Sequence, residues 1–443
     1  MVYIEFSIRV PDPEVEKICG EGLKRGMRKK GFWSYETMLM VLLSLNFGIV
    51  FFDRNAMSYL APFVQPDLKL TNEQVGLLAS GLAFAWAISG FLIGTIADRA
   101  GHRKTFLVGT VILFSLCSVV SGLARSFLML LAARMVMGAA EGPLMPISQS
   151  FAAAESSPER RGLNMGFVQN FGSNLFGSFV APLVIVALAN AFGWRVSFYL
   201  AAAPGLLSAF LLWMLIREPR MERQAADANQ QRMPILEMLR HRNIWVCMTI
   251  SIFVVAWMVL GWTFLPLIYT QHRHFSTRVM SYLMSVLGLS AAFGAFVLPG
   301  MSDRIGRKPV MIFGALIGVL VPAAALHWNG SLLILGVLLF VGWLANGVSP
   351  LMMATIPSET IPARYVATTA GLVQGLGEII GAAGGAWAAG RAADAFGLQV
   401  TMWIMGSCAV IAGVLSLLLR ETAPVKTAKG MPAADPEPSP IPN

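Results

Sequence analysis

The chain has 443 residues, 56% hydrophobic and only 13% charged, with 33 Lys and Arg against 24 Asp and Glu. Soluble domains carry about 25% charged residues, so a polytopic membrane protein is expected and a water-soluble domain is excluded. The formal charge of +9 comes from basic residues that flank apolar runs, which signals orientation in a bilayer rather than nucleic-acid binding.

Residues 1–36 form a polar N-terminal tail with a basic end, Lys24 to Lys30, and a translation start at Met27 is an alternative. The first 30 or so residues are polar and hold both signs of charge, so a signal peptide is not expected there. Twelve apolar spans then follow, near 38–62, 74–97, 104–123, 127–154, 161–189, 194–216, 243–270, 277–300, 308–327, 331–356, 365–393 and 398–419. Each is long enough to cross a bilayer as a helix. The fold class expected is therefore all-α, with an N-terminal six-helix half (37–216) and a C-terminal six-helix half (243–420). Between them lies the central loop 217–242, where Ile235, Leu236 and Leu239 beside Arg240 and Arg242 predict a short interfacial helix. Residues 421–443, rich in Pro and Ala, read as a disordered tail. With the N-terminus inside, the tails and inner loops hold 25 of the 33 Lys and Arg and the outer loops six. Both termini are thus expected in the cytoplasm.

Span 1 carries Asp53 and Arg54 at its middle. A charge at membrane depth costs at least about 2.5–3.5 kcal/mol, so such groups face a protein interior or an aqueous path. Neighbours on a helix point about 100° apart, so each must find its partner on another helix. A structural ion pair and a substrate or proton site both satisfy this. Span 4 adds Arg134 and Glu141, seven residues apart and hence on one helical face. Gly138 and Gly142 there permit close helix approach, and Pro143 and Pro146 loosen the helix. In span 5, Gln169, Asn170, Ser173 and Asn174 form one polar stripe, either lining a path or binding helices together. Tyr269 ends span 7 beyond Pro266 and is a weaker site candidate among aromatic residues that packing also explains. Glu378 in span 11 is a third carboxylate at membrane depth. The four cysteines, Cys19, Cys117, Cys247 and Cys408, are far apart, so neither disulfide nor metal is expected. No nucleophile–base set, metal-ligand spacing or phosphate loop points to an enzyme, and no cofactor is expected.

The chain repeats itself. Asp98-Arg99-Ala100-Gly101-His102-Arg103 follows span 2, and Asp303-Arg304-Ile305-Gly306-Arg307-Lys308 follows span 8. Gly166-Phe-Val-Gln-Asn-Phe-Gly172 matches Gly371-Leu-Val-Gln-Gly-Leu-Gly377, and 71 residues separate Asp98 from Gln169 and Asp303 from Gln374 alike. Ala191-Phe192-Gly193 before span 6 echoes Ala395-Phe396-Gly397 before span 12. Two halves of the same topology imply a pseudo-twofold axis along the membrane normal.

The run Gly94-Thr-Ile-Ala-Asp98-Arg99-Ala-Gly101-His-Arg103-Lys104 resembles the loop 2–3 signature of the major facilitator superfamily, and its copy at 303–308 resembles the loop 8–9 partner. The resemblance implies an alternating-access transporter with a central site between two halves, and a gating role for Asp98, Arg99, Arg103, Asp303 and Arg304. Phe-Asp53-Arg54 with Arg134 and Glu141 is similar to the anion:cation symporter family of sugar-acid and organic-anion carriers. That likeness implies proton-coupled import of an organic anion such as a sugar acid, aromatic acid or dicarboxylate. Asp53 and Glu141 would carry protons, Arg54 would bind the substrate carboxylate, and Arg134 would pair with the acids. Arg134, Gln169, Asn170, Gln374, Glu378 and Tyr269 complete the expected substrate-binding set. The chain departs from the family at Phe52, where Tyr is common, and at Gln374 and Glu378, where sugar-acid permeases often have Asn. A monomer in the inner (plasma) membrane is expected, with the lipid bilayer and no nucleic acid as partners. Uniport or efflux of amphipathic compounds is the first alternative. A non-transporting sensor or scaffold is the second, and it predicts that Asp53→Asn and Glu141→Gln change nothing.

Overall fold

The computed structural model describes residues 34–427 except 101, 158–159, 219–239 and 363–364, and it does not describe the side chains of 91–100, 161–162, 367 and 427. Residues 1–33 of the predicted N-terminal tail, the core of the interfacial helix and the side chains of Asp98 and Arg99 therefore lie outside the described residues, and α1 begins at Tyr35, inside the expected tail. Among the described residues there is no strand. The helical runs are α1 (Tyr35–Asp67), α2 (Asn72–Ala100), α3 (Arg103–Gly122), α4 (Phe127–Glu155), α5 (Leu163–Phe192) and α6 (Trp194–Leu215). After the central loop come α7 (Arg242–His272), α8 (Thr277–Ile305), α9 (Arg307–His327), α10 (Leu332–Thr360), α11 (366–396) and α12 (Val400–Ser416). Among the described residues nine of these are long and apolar enough to span a membrane: α1, α3 to α6 and α7 to α10.

The helix limits follow from local chemistry. Ser34, Ser126, Ser276 and Ser331 each accept a backbone N–H of the helix that they open, which satisfies one of its orphan donors. The repeated Ala-Phe-Gly ends α5 and α11 because Gly193 and Gly397 take φ values of 85° and 88°, which other L-residues resist. Order continues past the expected start of the C-terminal tail. Glu421 accepts the N–H groups of Arg307 and Lys308 at the start of α9, and Pro424–Thr427 make a helical turn. The tail cannot begin at 421, because those N–H groups recruit Glu421 as their cap.

Three apolar cores divide the molecule. One core, built from Leu39, Leu107, Phe151 and Ile216 among others, belongs to the first six helices. A second, with Val246, Val310, Ile356 and Leu419, belongs almost wholly to the last six. Both lie toward the face that carries Tyr35 and Arg420, here the terminal face. The third core mixes the halves: Tyr59, Leu78 and Ile185 pack with Phe264, Met284 and Ala389 at the opposite face. The hydrogen bonds between the halves there agree. Asp394 accepts the N–H groups of Asn72 and Glu73 at 2.8 Å each, Gln271 donates to Gln65, and Thr277 donates to Asn190. The halves are thus joined at the opposite face and have separate cores toward the terminal face.

Close helix contact rests on glycine. A Cβ on Gly138 would strike the Leu82 carbonyl, and one on Gly142 would strike Ser89, so span 4 packs on α2 as its glycines predict.

Candidate functional site

The four charges of α1 and α4 converge in the N-terminal half. α1 breaks at Asn55: the Ser58 N–H donates to the Asn55 carbonyl at 3.0 Å. The Arg54 carbonyl, left without that donor, accepts Arg134 Nη2 at 2.7 Å. The Arg54 side chain turns to Glu141 and donates from Nη1 to Oε2 at 3.1 Å, with 20% of its own surface exposed against 1% for the acid. Its guanidinium also lies 5.6 Å from the rings of Phe51 and Trp86, two cation–π contacts.

Asp53 faces away from Arg54, as adjacent helical residues must. It is fully buried and accepts Ser118 Oγ of α3 at 2.6 Å, while Ser118 also lies 3.1 Å from the Phe198 carbonyl of α6. Arg134, Glu141 and the Cys117 thiol are the ionisable groups close enough to act on Asp53. Arg134 does not form the ion pair expected of it. Among the described residues it reaches Met137 Sδ besides the Arg54 carbonyl, and its Nε has no partner there. Arg134 is buried, and its bond to the Arg54 carbonyl fastens the broken backbone of α1. Glu141 Oε1 and Asp53 Oδ2 are likewise buried without partners. Buried polar atoms are normally bonded, so these open valences are where a proton, a water or a ligand has something to satisfy.

The polar stripe of α5 is divided. Asn170, Ser173 and Asn174 donate to carbonyls of their own helix, whereas Gln169 accepts Gln149 Nε2 of α4 at 3.4 Å. The stretches 167–171, 173–180 and 377–384 are π-helical, a geometry common at functional sites. Gln374 is half-buried, and Glu378 is 8% exposed with Arg54 the charge near enough to act on it. Tyr269 stands apart. It is fully buried in the mixed core of the opposite face, against Phe275, so it makes no part of the charged site in this conformation. A surface groove between α9 and α12, beside His327 and Trp403, touches none of these residues.

At the terminal face Arg307 is the centre of a charge cluster. It pairs with Asp303 at 2.6 Å and Glu359 of α10 at 2.7 Å, and it donates to Ser302. Arg304 is exposed and outside this cluster. Sequence reading singled out Asp303 and Arg304 but missed Arg307, Glu359, Glu421, Trp86 and Ser118. A signal for the first two was present, since Arg103 and Glu155 lie 204 residues before Arg307 and Glu359. Glu218 caps Lys104 as Glu421 caps Lys308, so the repeat extends through these caps.

The sequence matches the family model of the Major Facilitator Superfamily over residues 43–385 and again over 262–441. It is 29% identical to a hexuronate transporter of Bacillus subtilis over 63% of this chain and 68% of that protein. It is 27% identical to a probable 4-methylmuconolactone transporter of Cupriavidus pinatubonensis over 80% and 82%, and 26% identical to a sialic acid transporter of Escherichia coli over 62% and 67%. In fold it is similar to a bacterial homolog of the human lysosomal transporter Spinster in an inward-facing, unoccupied conformation. The TM-score is 0.77, with 21% identity and coverage of 88% of this chain and 97% of that one.

Proposed function

This chain belongs to the major facilitator superfamily, and from that premise we propose that it is a proton-coupled symporter that imports an organic carboxylate by alternating access. In this reading twelve helices cross the inner membrane, both termini are cytoplasmic, and one chain is the working unit. The terminal face is then the cytoplasmic one, and the described conformation is closed outside. Relatives that carry a hexuronate, a muconolactone and a sialic acid support the substrate class.

The observation that carries the proposal is the Arg54–Glu141 pair. Arg54 is the partly exposed member, and its planar fork suits a carboxylate. It has one guanidinium to share between Glu141 and the cargo. A proton on Glu141 removes the competing charge and frees Arg54, so cargo binding and proton uptake proceed together. Deprotonation returns Glu141 to Arg54 and displaces the cargo. Asp53, buried against Ser118, is the second proton site, and Arg134 holds the α1 break that aims Arg54. Gln169, Asn170 and Gln374 line the path beside it. Asp98, Arg99, Arg103, Asp303 and Arg304 belong to the inner gate, with Arg307 as its centre in the C-terminal half.

The test is uptake of a labelled organic acid into vesicles under an imposed inward proton gradient. Accumulation that requires the gradient, and that is absent for a neutral analogue, is expected. Uptake indifferent to the gradient would instead support uniport.

A further inference from the structure

Glu378 is a carboxylate at membrane depth that no side chain among the described residues pairs with. It opens the π-helical stretch of α11 and is 8% exposed. Among the described residues it makes no hydrogen bond and no ion pair. Its depth follows from the α2–α11 contact. Ser80 Oγ donates to the Ala383 carbonyl at 2.6 Å. Trp86 lies six residues inward of Ser80 on α2, and Glu378 five residues inward of Ala383 on the oppositely running α11. Glu378 is therefore level with Trp86, whose ring meets Arg54. The two halves thus present opposite charges to one another, Arg54 from α1 and Glu378 from α11.

Among the described residues the charges do not balance: Asp53, Glu141 and Glu378 face two cations, Arg54 and Arg134. Arg54 holds Glu141, and Arg134 is spent on the Arg54 carbonyl. In α7 to α12 the Lys and Arg residues stand near the helix ends: Arg242, Arg278, Arg304, Arg307, Lys308 and Arg391. No described cation of the C-terminal half sits at the depth of Glu378. A carboxylate at membrane depth without a partner is costly unless something compensates it.

We propose that the compensating group comes with the cargo: Glu378 recognises a cationic amine, and the preferred substrate is a zwitterion whose carboxylate meets Arg54 and whose ammonium meets Glu378. This rests on the reading of Arg54 as the carboxylate site. A charge-assisted hydrogen bond contributes about 1.5–3 kcal/mol, which corresponds to a preference of about 10- to 150-fold over an analogue without the amine. A dicarboxylate would set a second negative charge against Glu378. A mere proton on Glu378 would leave the protein indifferent to the far end of its cargo.

Binding to the purified full chain tests this, by calorimetry with matched sets. Each set holds an α- or ω-amino acid of three to six carbons, the corresponding hydroxy acid and the dicarboxylate of equal length. At least one amino acid is expected to bind tenfold or more tightly than both of its counterparts. Glu378→Gln should abolish that preference, and Glu378→Asp should retain part of it. Equal or tighter binding of the hydroxy acids or dicarboxylates overturns the proposal. So does an amine preference that survives Glu378→Gln, or no binding of any amino acid. Arg54→Ala keeps the two claims separable: if it leaves carboxylate binding intact, the Arg54 reading itself fails.

Discussion

Asp394→Ala should open the face opposite the terminal one. Asp394 belongs to α11, yet its carboxylate accepts the N–H groups of Asn72 and Glu73 at the start of α2, both at 2.8 Å. It thus caps a helix of the other half, where the helix dipole also favours an anion. The contact is solvent-exposed, so each bond contributes about 0.5–1 kcal/mol net and the pair about 1–2 kcal/mol. Since the bond joins the halves, that energy is lost only from the conformation closed at this face. The population open there should rise by about 5- to 30-fold. The assay uses a cysteine at Val75, which is 3% exposed in the mixed core, in a chain whose native cysteines are replaced. An impermeant maleimide added outside should label it about 5- to 30-fold faster in Asp394→Ala. Asp67→Ala, which removes the Arg195 pair and the Trp194 hydrogen bond inside one half, should not change the rate. An unchanged rate in Asp394→Ala, or the same acceleration in Asp67→Ala, refutes the reasoning.

Further predictions address the charges and the packing. Glu141→Gln should lose proton-driven accumulation but keep substrate counterflow, whereas Arg54→Ala should lose binding itself; equal loss of both activities in both variants contradicts separate roles. Burial alone would raise the Glu421 carboxyl, but the N–H groups of Ala423, Arg307, Lys308 and Thr422 outweigh it and hold it below the usual glutamate range. A lowered folded value means that the cap stabilises fully above about pH 4.3 and fades as pH falls through the folded value. Melting measured from pH 6 to 3 should therefore fall less steeply in Glu421→Gln than in the parent. Gly172→Ala would drive a Cβ into the Ser44 carbonyl, while Gly166→Ala meets nothing within 4 Å. The first should destabilise by about 1–3 kcal/mol and lower the melting temperature, and the second should be close to neutral.

Much of the architecture was legible because a bilayer demands long apolar runs and satisfied backbones. The expected α4 and α8 spans sit within helices of nearly the same limits, and the Ala-Phe-Gly repeats end two helices through the backbone freedom of Gly193 and Gly397. The convergence of Asp53, Arg54, Arg134 and Glu141 was legible from the cost of isolated charge. Their pairing was not. It depends on the break at Asn55, which frees the Arg54 carbonyl for Arg134, and on Ser118, which no spacing links to Asp53. Nor does Tyr269 betray in sequence that it is sealed in the mixed core, since that depends on which face of the molecule is closed.

Proton movement on addition of cargo tests the central claim most directly. Proteoliposomes with a trapped pH indicator, equal pH on both sides and the membrane potential clamped at zero would receive an organic acid that the protein binds. The lumen should acidify in the parent and not in Glu141→Gln, although labelled acid still exchanges in that variant. Entry of the acid into parent vesicles with no change in luminal pH would contradict the account.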